Sequence, residues 1–259
     1  MSYGMYLAGS SLAASMYRMD VAANNLANIQ TVGFKPDMTA TRFRPAAREE
    51  DGLAFLPSNE MLEKLGGGVR VGPTRMNLAQ GPLETTGQSL DVAIQGSGYF
   101  VVKDGAGSGP ETFRFTRDGR LTLDRQSRLV QTGTGKPVLD ENDRPITLDP
   151  TAKITIEPNG LVRQNGQIAG QLALMNISRP DQLRKAGHNM FVASPELMAR
   201  RTRADGNLVQ GAVERAAVDP VRATLDVMGA ERSASSASRL IAMYDELMQK
   251  AATQFARMG

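Results

Sequence analysis

A chain of 259 residues with 41% apolar and 22% charged residues can bury a substantial core, and a formal net charge of +3 is only a mild basic excess. Its basic residues are scattered apart from Arg200, Arg201 and Arg203, and aromatics make up 5%, so the basic stripe with stacking rings expected of a nucleic-acid binder is missing. The lack of cysteine excludes disulfides and thiolate chemistry, the single histidine excludes two-His metal motifs, and no run reaches the ~18 apolar residues of a membrane span.

Residues 1–28 follow helical spacing. Met5, Gly9, Leu12, Met16, Met19, Ala23 and Leu26 alternate steps of four and three, the seam of a coiled coil. A second row, Tyr3, Leu7, Ser10, Ala14, Tyr17 and Val21, repeats the spacing on a neighbouring face and ends in Asn24 and Asn28. No charge precedes Arg18, so the start lacks both the broad polar face of a surface helix and the basic segment that opens a secretory signal. The expectation is a helix with no cleavable signal, buried on two faces, of which one partner helix from the same chain covers one. The stretch VAANNLANIQTVGFKPD (21–37) then poses a choice. Asn24, Asn25 and Asn28 either hydrogen-bond a neighbouring helix and fix its register, or only terminate this one before Gly33 and Pro36.

Residues 35–65 are mixed in character, with REED (48–51) reading as a solvated loop and NEMLEKL (59–65) as a helical turn or two. From Gly66 to about Asn207, short β-prone runs alternate with turn pairs. Asp118-Gly119, Asn159-Gly160, Asn165-Gly166 and Asp205-Gly206 are hairpin signals, because these residue types tolerate positive φ. The region reads as an antiparallel domain of many short strands. At Asp219 the helical texture returns, with Asp219 as N-cap and Pro220 in the first helical position. Val221, Leu225 and Met228 begin an apolar stripe, and Leu240, Tyr244, Leu247, Ala251, Phe255 and Met258 continue one. A helix running from there to the last residues would be roughly 58 Å long, so it projects from a small β domain and finds its partner in the N-terminal helix.

Catalytic chemistry has little to work with. His188, in KAGHNMF, has no serine neighbour and reads as a turn or surface residue. QGSGYFV (95–101) lacks the third glycine of a dinucleotide loop and leads into strand-like residues, and DENDRP lacks the glycine of an EF-hand. A carboxylate-pair hydrolase would need two carboxylates facing each other across a cleft.

The motif MDVAANNLANIQTVGFKPD (19–37) closely resembles the N-terminal signature of the bacterial flagellar rod and hook proteins: Ala23, Asn24, Asn25, Leu26, Ala27 and Asn28, then Thr31, Gly33, Phe34 and Lys35. QGPLETTGQSLDVAIQGSGYFVV (80–102) is similar to that family's central motif, FTRDGRLTLD to the hairpin that follows it, and Val213, Glu214, Val218 and Pro220 fall in the family's C-terminal order. Ala216-Ala217 stands where such families carry Ser-Asn. The resemblance implies an α+β chain: paired N- and C-terminal helices (a coiled coil) flanking a β-rich central domain of short antiparallel strands. It implies an N-terminal inner-tube helix at 1–30, a connector at 31–75, the β-rich domain at 76–212 and a C-terminal inner-tube helix at 213–259. It also implies a non-enzymatic basal-body rod subunit without cofactor or metal, exported through the flagellar type III apparatus and assembling with itself and other rod and hook proteins. KPVLDENDRPITL and QLRKAGHNMF resemble the proximal-rod type more than the distal type, which GGGVRV would also suit. The expected assembly interface is Met5, Leu12, Met16, Met19, Ala23, Asn24, Asn25, Leu26, Asn28, Gly33 and Phe34 with Val221, Leu225, Met228, Leu240, Tyr244 and Leu247. The alternatives are a distal-rod or hook-type subunit, or a soluble β-domain binding module with a helical dimerisation hairpin.

Overall fold

The computed structural model describes residues 3–46, 49, 66–105 and 112–258. Apart from Glu49, the REED loop lies outside the described residues, as do the NEMLEKL turn and the side chains of Phe255 and Met258. The architecture is α+β, with a helix at each end and a β-rich middle. The chain divides into two units, one of Met1–Ala27, Asp37–Arg75 and Asp219–Gly259, the other of Asn28–Pro36 and Met76–Val218.

In the first unit, helix α1 (Tyr3–Ala27) packs against helix α3 (Pro220–Met258), which has 39 residues. Asp219 caps α3 as expected: its Oδ1 accepts from the amides of Val221 at 2.8 Å and Arg222 at 3.0 Å, so the missing Ser-Asn pair costs the helix no cap. Gly4, near the start of α1, lies against the Tyr244 ring in the C-terminal half of α3, and the covered positions of α3 run back from there to Ala223, so the two helices run antiparallel. On α3 the covered positions are Ala223, Ala230 and Ala237, with Val227, Ala234, Ile241 and Tyr244 half-buried between them, again in steps of four and three. On α1, Ala8 and Ser15 are buried and Leu12, Met19 and Ala22 half-buried, with the same alternation. Small residues dominate both rows, which lets the backbones approach closely.

Helix α3 covers one apolar face of α1, as expected of a single partner helix, and the other is covered by strands of the same chain. The second row meets a β-hairpin made of β2 (Thr41–Arg44) and β3 (Gly68–Val71), which follow the short strand β1 (Asp37–Met38). The Ser10 hydroxyl accepts from Val69 N at 3.4 Å, the Arg44 guanidinium donates to the Tyr6 hydroxyl at 2.5 Å, and the Tyr3 hydroxyl donates to Gly66 O. A third face stays open, with Tyr6 and Met16 each about half exposed.

The second unit follows β4 (Arg75–Met76) and is built from antiparallel pairs. A six-stranded sheet runs in the order β15 (Arg184–Lys185), β16 (Met190–Val192), β8 (Phe113–Thr116), β7 (Tyr99–Lys103), β14 (Leu174–Asn176) and β17 (Thr202–Arg203). Alternate residues of β7 feed two cores, Phe100 and Val102 on one side and Tyr99 and Val101 on the other, as period-two geometry requires. Smaller sheets complete the unit: β5 (Leu83–Thr85) with β19 (Ala212–Glu214), β6 (Val92–Gln95) with β18 (Asn207–Gln210), β9 (Leu121–Leu123) with β10 (Leu129–Gln131), and β11 (Ile154–Ile156), β12 (Leu161–Gln164) and β13 (Gln167–Gln171) in order. A one-turn helix α2 (Pro195–Ala199) is capped by Ser194.

Two of the four turn pairs are hairpins. Asn165-Gly166, with φ of 50° and 85°, joins β12 to β13, and Gly160, with φ of 88°, closes the β11–β12 loop. Asp118-Gly119 and Asp205-Gly206 are not hairpins, and the family-like hairpin over FTRDGRLTLD is corrected with them. Asp118-Gly119 joins β8 to β9, and Asp205-Gly206 joins β17 to β18, strands that lie in different sheets. Their glycines serve close approach: a Cβ on Gly119 would strike Val92 O, and one on Gly206 would strike Ser97 O.

Candidate assembly site

The residues after α1 descend into the second unit. Asn28 ends the helix by turning: Thr31 N donates to Asn28 O at 3.0 Å and the Thr31 hydroxyl to Asn28 Oδ1 at 3.2 Å. Gly33 then adopts φ of 70°, which brings its N–H 2.8 Å from Glu214 O while a Cβ there would sit 2.5 Å from Asp118 N. Asn189 Nδ2 donates to Val32 O at 2.9 Å, and Lys185 Nζ lies 4.7 Å above the buried Phe34 ring.

Lys35 follows, and it is 1% exposed. Its ammonium donates to Glu214 Oε1 at 2.6 Å and to Ala79 O at 2.8 Å. Gly81 N reaches the same Oε1 at 2.9 Å, while Arg117 Nη1 meets Oε2 at 3.0 Å and Nη2 meets Gly96 O at 2.9 Å. One buried carboxylate therefore serves two cations, and the Arg117 guanidinium lies 5.2 Å from the Tyr99 ring centre. Burial pushes the Lys35 ammonium below the ordinary lysine value; Glu214 pulls the other way but is shared with Arg117, which also repels it. Burial likewise pushes the Tyr99 phenol up.

Asn25, at the end of α1, answers the question raised by the asparagine run. Its Nδ2 donates to Asp37 O at 2.7 Å and its Oδ1 accepts from Asp37 N at 3.0 Å, so the amide pairs with returning backbone rather than with a helix. Among the other expected interface residues, Gly33 and Phe34 lie inside the second unit. Met5, Leu12, Met19, Leu26 and Asn28 are half-buried, while Met16, Ala23 and Asn24 are exposed. On α3, Val221, Leu225, Met228, Leu240 and Leu247 are exposed and Tyr244 is half-buried against α1. Sequence reasoning missed Arg117 as the second cation on Glu214, and Met243, which is 52% exposed. The spacing of Met243 from Leu240 and Leu247 was the available signal.

Chemically the molecule is quiet. His188 is exposed in the turn between β15 and β16. A cleft of about 460 Å³ beside α2 is lined by residues including Lys103, Phe113, Asp143 and Arg201, but among the described residues it holds a single carboxylate, paired to Arg201 at 2.6 Å. No group of His, Asp and Glu among the described residues could hold a metal, and no helix among them is long and apolar enough to cross a membrane.

Comparison with known proteins decides the matter. Residues 93–164 match a model of the flagellar hook protein FlgE/F/G D1 domain, and residues 5–35 match a model of the flagella basal body rod protein. A flagellar basal-body rod protein FlgF of Caulobacter vibrioides is 30% identical over 265 residues, covering 100% of both chains. The chain belongs to the flagellar basal-body rod protein family. A FlgF of Mesorhizobium japonicum is 30% identical over 85% of this chain and 84% of its own, and a FlgG of Buchnera aphidicola is 30% identical over 95% and 97%. As a member of that family it is a structural protein of the flagellar basal body and not an enzyme.

Proposed function

We propose that this chain is an axial subunit that self-assembles through α1 and α3 into the helical tube of the rod. In this reading α1 and α3 form a coiled coil. Residues 1–30 and 213–259 supply the inner tube, 31–75 connect, and 76–212 form the outer layer. The carrying observation is that α3 holds Val221, Leu225, Leu240 and Leu247 exposed although α1 already covers its small-residue row. Burying the exposed part of each such side chain contributes roughly 1 kcal/mol before ordering costs. Partners are further copies and other rod and hook proteins, reached by export through the type III apparatus without a cleaved signal. The proximal-rod position is favoured by the likeness of KPVLDENDRPITL and QLRKAGHNMF to that type, and the full-length FlgF relative supports it.

Sedimentation and electron microscopy of the purified chain at rising concentration test the reading. Elongated particles are expected, with Leu225→Asp remaining monomeric and normally folded. Discrete dimers would instead favour a binding module with a dimerisation hairpin.

A further inference from the structure

Beside the row that meets α1, helix α3 carries a second row in steps of four and three: Gly229, Ser233, Ser236, Leu240 and Met243. Every member is exposed and none is charged; Asp226 stands one step before the row and Lys250 two steps after it, beyond Leu247. Gly229 meets nothing within 4 Å of where a Cβ would stand, so the isolated molecule has no use for a glycine that weakens a helix interior by roughly 1 kcal/mol relative to Ala. On α1, the face left open by α3 and the β2–β3 hairpin carries a row of its own: Gly9, Ala13, Met16, Asp20 and Ala23. Gly9 likewise meets nothing within 4 Å.

We propose that the open row of α1 in one copy packs into the open row of α3 in a second copy. This rests on the self-assembly reading above and adds the partner face and the register. Antiparallel alignment, the orientation the two helices already have within one molecule, sets Gly9 opposite Met243, Ala13 opposite Leu240, Met16 opposite Ser236, Asp20 opposite Ser233 and Ala23 opposite Gly229. Each large side chain then faces a small one, the condition for helix backbones to interlock at the 8–10 Å spacing typical of packed helices. Charge agrees with shape. Asp20, the one charge in the α1 row, comes beside Arg232, and both are exposed with no ion-pair partner among the described residues. The open α1 row lies one residue after the row that meets α3, and the open α3 row one residue before the row that meets α1, which in antiparallel helices turns the two open rows to opposite sides of the pair. The contact is therefore head-to-tail: each copy offers α1 to one neighbour and α3 to another, and the chain of contacts propagates instead of closing as a dimer.

The absence of native cysteine makes this testable by cross-linking. The full-length double variant Ala13→Cys/Leu240→Cys, oxidised under assembly conditions, is expected to convert from monomer into a ladder of covalent oligomers. A mixture of the two single variants should give dimers and nothing larger, and neither single variant alone should cross-link. Assembly without cross-links, self-cross-linking of either single variant, or a closed intramolecular bridge would overturn this pairing while leaving self-assembly intact. No assembly at all, in the wild-type chain, would remove the self-assembly reading and this pairing with it.

Discussion

Lys35 Nζ lies 2.6 Å from Glu214 Oε1 across 179 residues of sequence, and both side chains are 1% exposed. Lys35 stands eight residues past the end of α1, and Glu214 six before the start of α3. The pair therefore fixes the two chain segments that lead into the helices. Because Arg117 shares the carboxylate, its two partners are not equivalent. Lys35→Met leaves Glu214 with Arg117 and the Gly81 N–H, and should cost about 1–3 kcal/mol. Glu214→Ala strands two buried cations and should cost at least the ~3–5 kcal/mol of a broken buried pair. Urea unfolding of both variants checks the order; equal midpoints would mean that Arg117 does not hold the carboxylate once Lys35 is gone.

The same cluster sets a pH dependence. Lys35 has its ammonium pushed below the ordinary lysine value by burial, so between the folded value and the ordinary one the unfolded chain binds the extra proton. Stability therefore rises with pH across that window. Tyr99 acts with the opposite sign: its phenol is pushed up by burial, so its contribution is present below the ordinary tyrosine value and is lost as pH climbs towards the folded one. The wild-type curve should climb as pH approaches the ordinary lysine value from below and bend over above the ordinary tyrosine value, while Lys35→Met should lack the climb and keep the bend. Thermal midpoints at about pH 8, 9, 10 and 11 separate the two curves.

Much of this was legible in the sequence, and the losses share a cause. The helix cap at Asp219 and the Asn165-Gly166 hairpin are local, and local rules found them. The α1 row chosen by hydrophobicity was Met5, Gly9, Leu12, Met16, Met19, Ala23 and Leu26, yet the buried residues include Ala8 and Ser15 while Met16 is 49% exposed. Helices in close contact select small side chains, and a hydrophobicity pattern undervalues alanine and serine. The Asp-Gly pairs read as hairpins because turn chemistry and close backbone approach call for the same glycine. Lys35 was visible as a motif residue, but a buried ion pair spanning 179 residues has no local signature.

Asn25 offers a test of what the asparagine run does. Its amide makes both hydrogen bonds to the backbone of Asp37, so Asn25→Ala removes two hydrogen bonds that tie the end of α1 to that backbone. A loss of about 1–3 kcal/mol is expected. Asn25→Asp should be no better, because its carboxylate can accept from Asp37 N but repels Asp37 O. Hydrogen exchange at the Asp37 amide should speed up in both variants, and an unchanged rate would assign the residue a role outside the monomer.

Two glycines should respond in opposite directions. Gly33 holds φ of 70° with Asp118 N 2.5 Å from where a Cβ would stand, so Gly33→Ala should destabilise by more than the ~1 kcal/mol of the backbone strain alone. Gly229 sits mid-helix with open space around it, and Gly229→Ala should stabilise the monomer by about 1 kcal/mol through helix propensity. If Ala23 of a second copy packs there, the same substitution should weaken assembly, because the added methyl fills the space that lets the two backbones meet. Thermal unfolding of the dilute chain and sedimentation of the concentrated chain read the two effects separately. A variant that gains in both assays would show that Gly229 is not a crossing point.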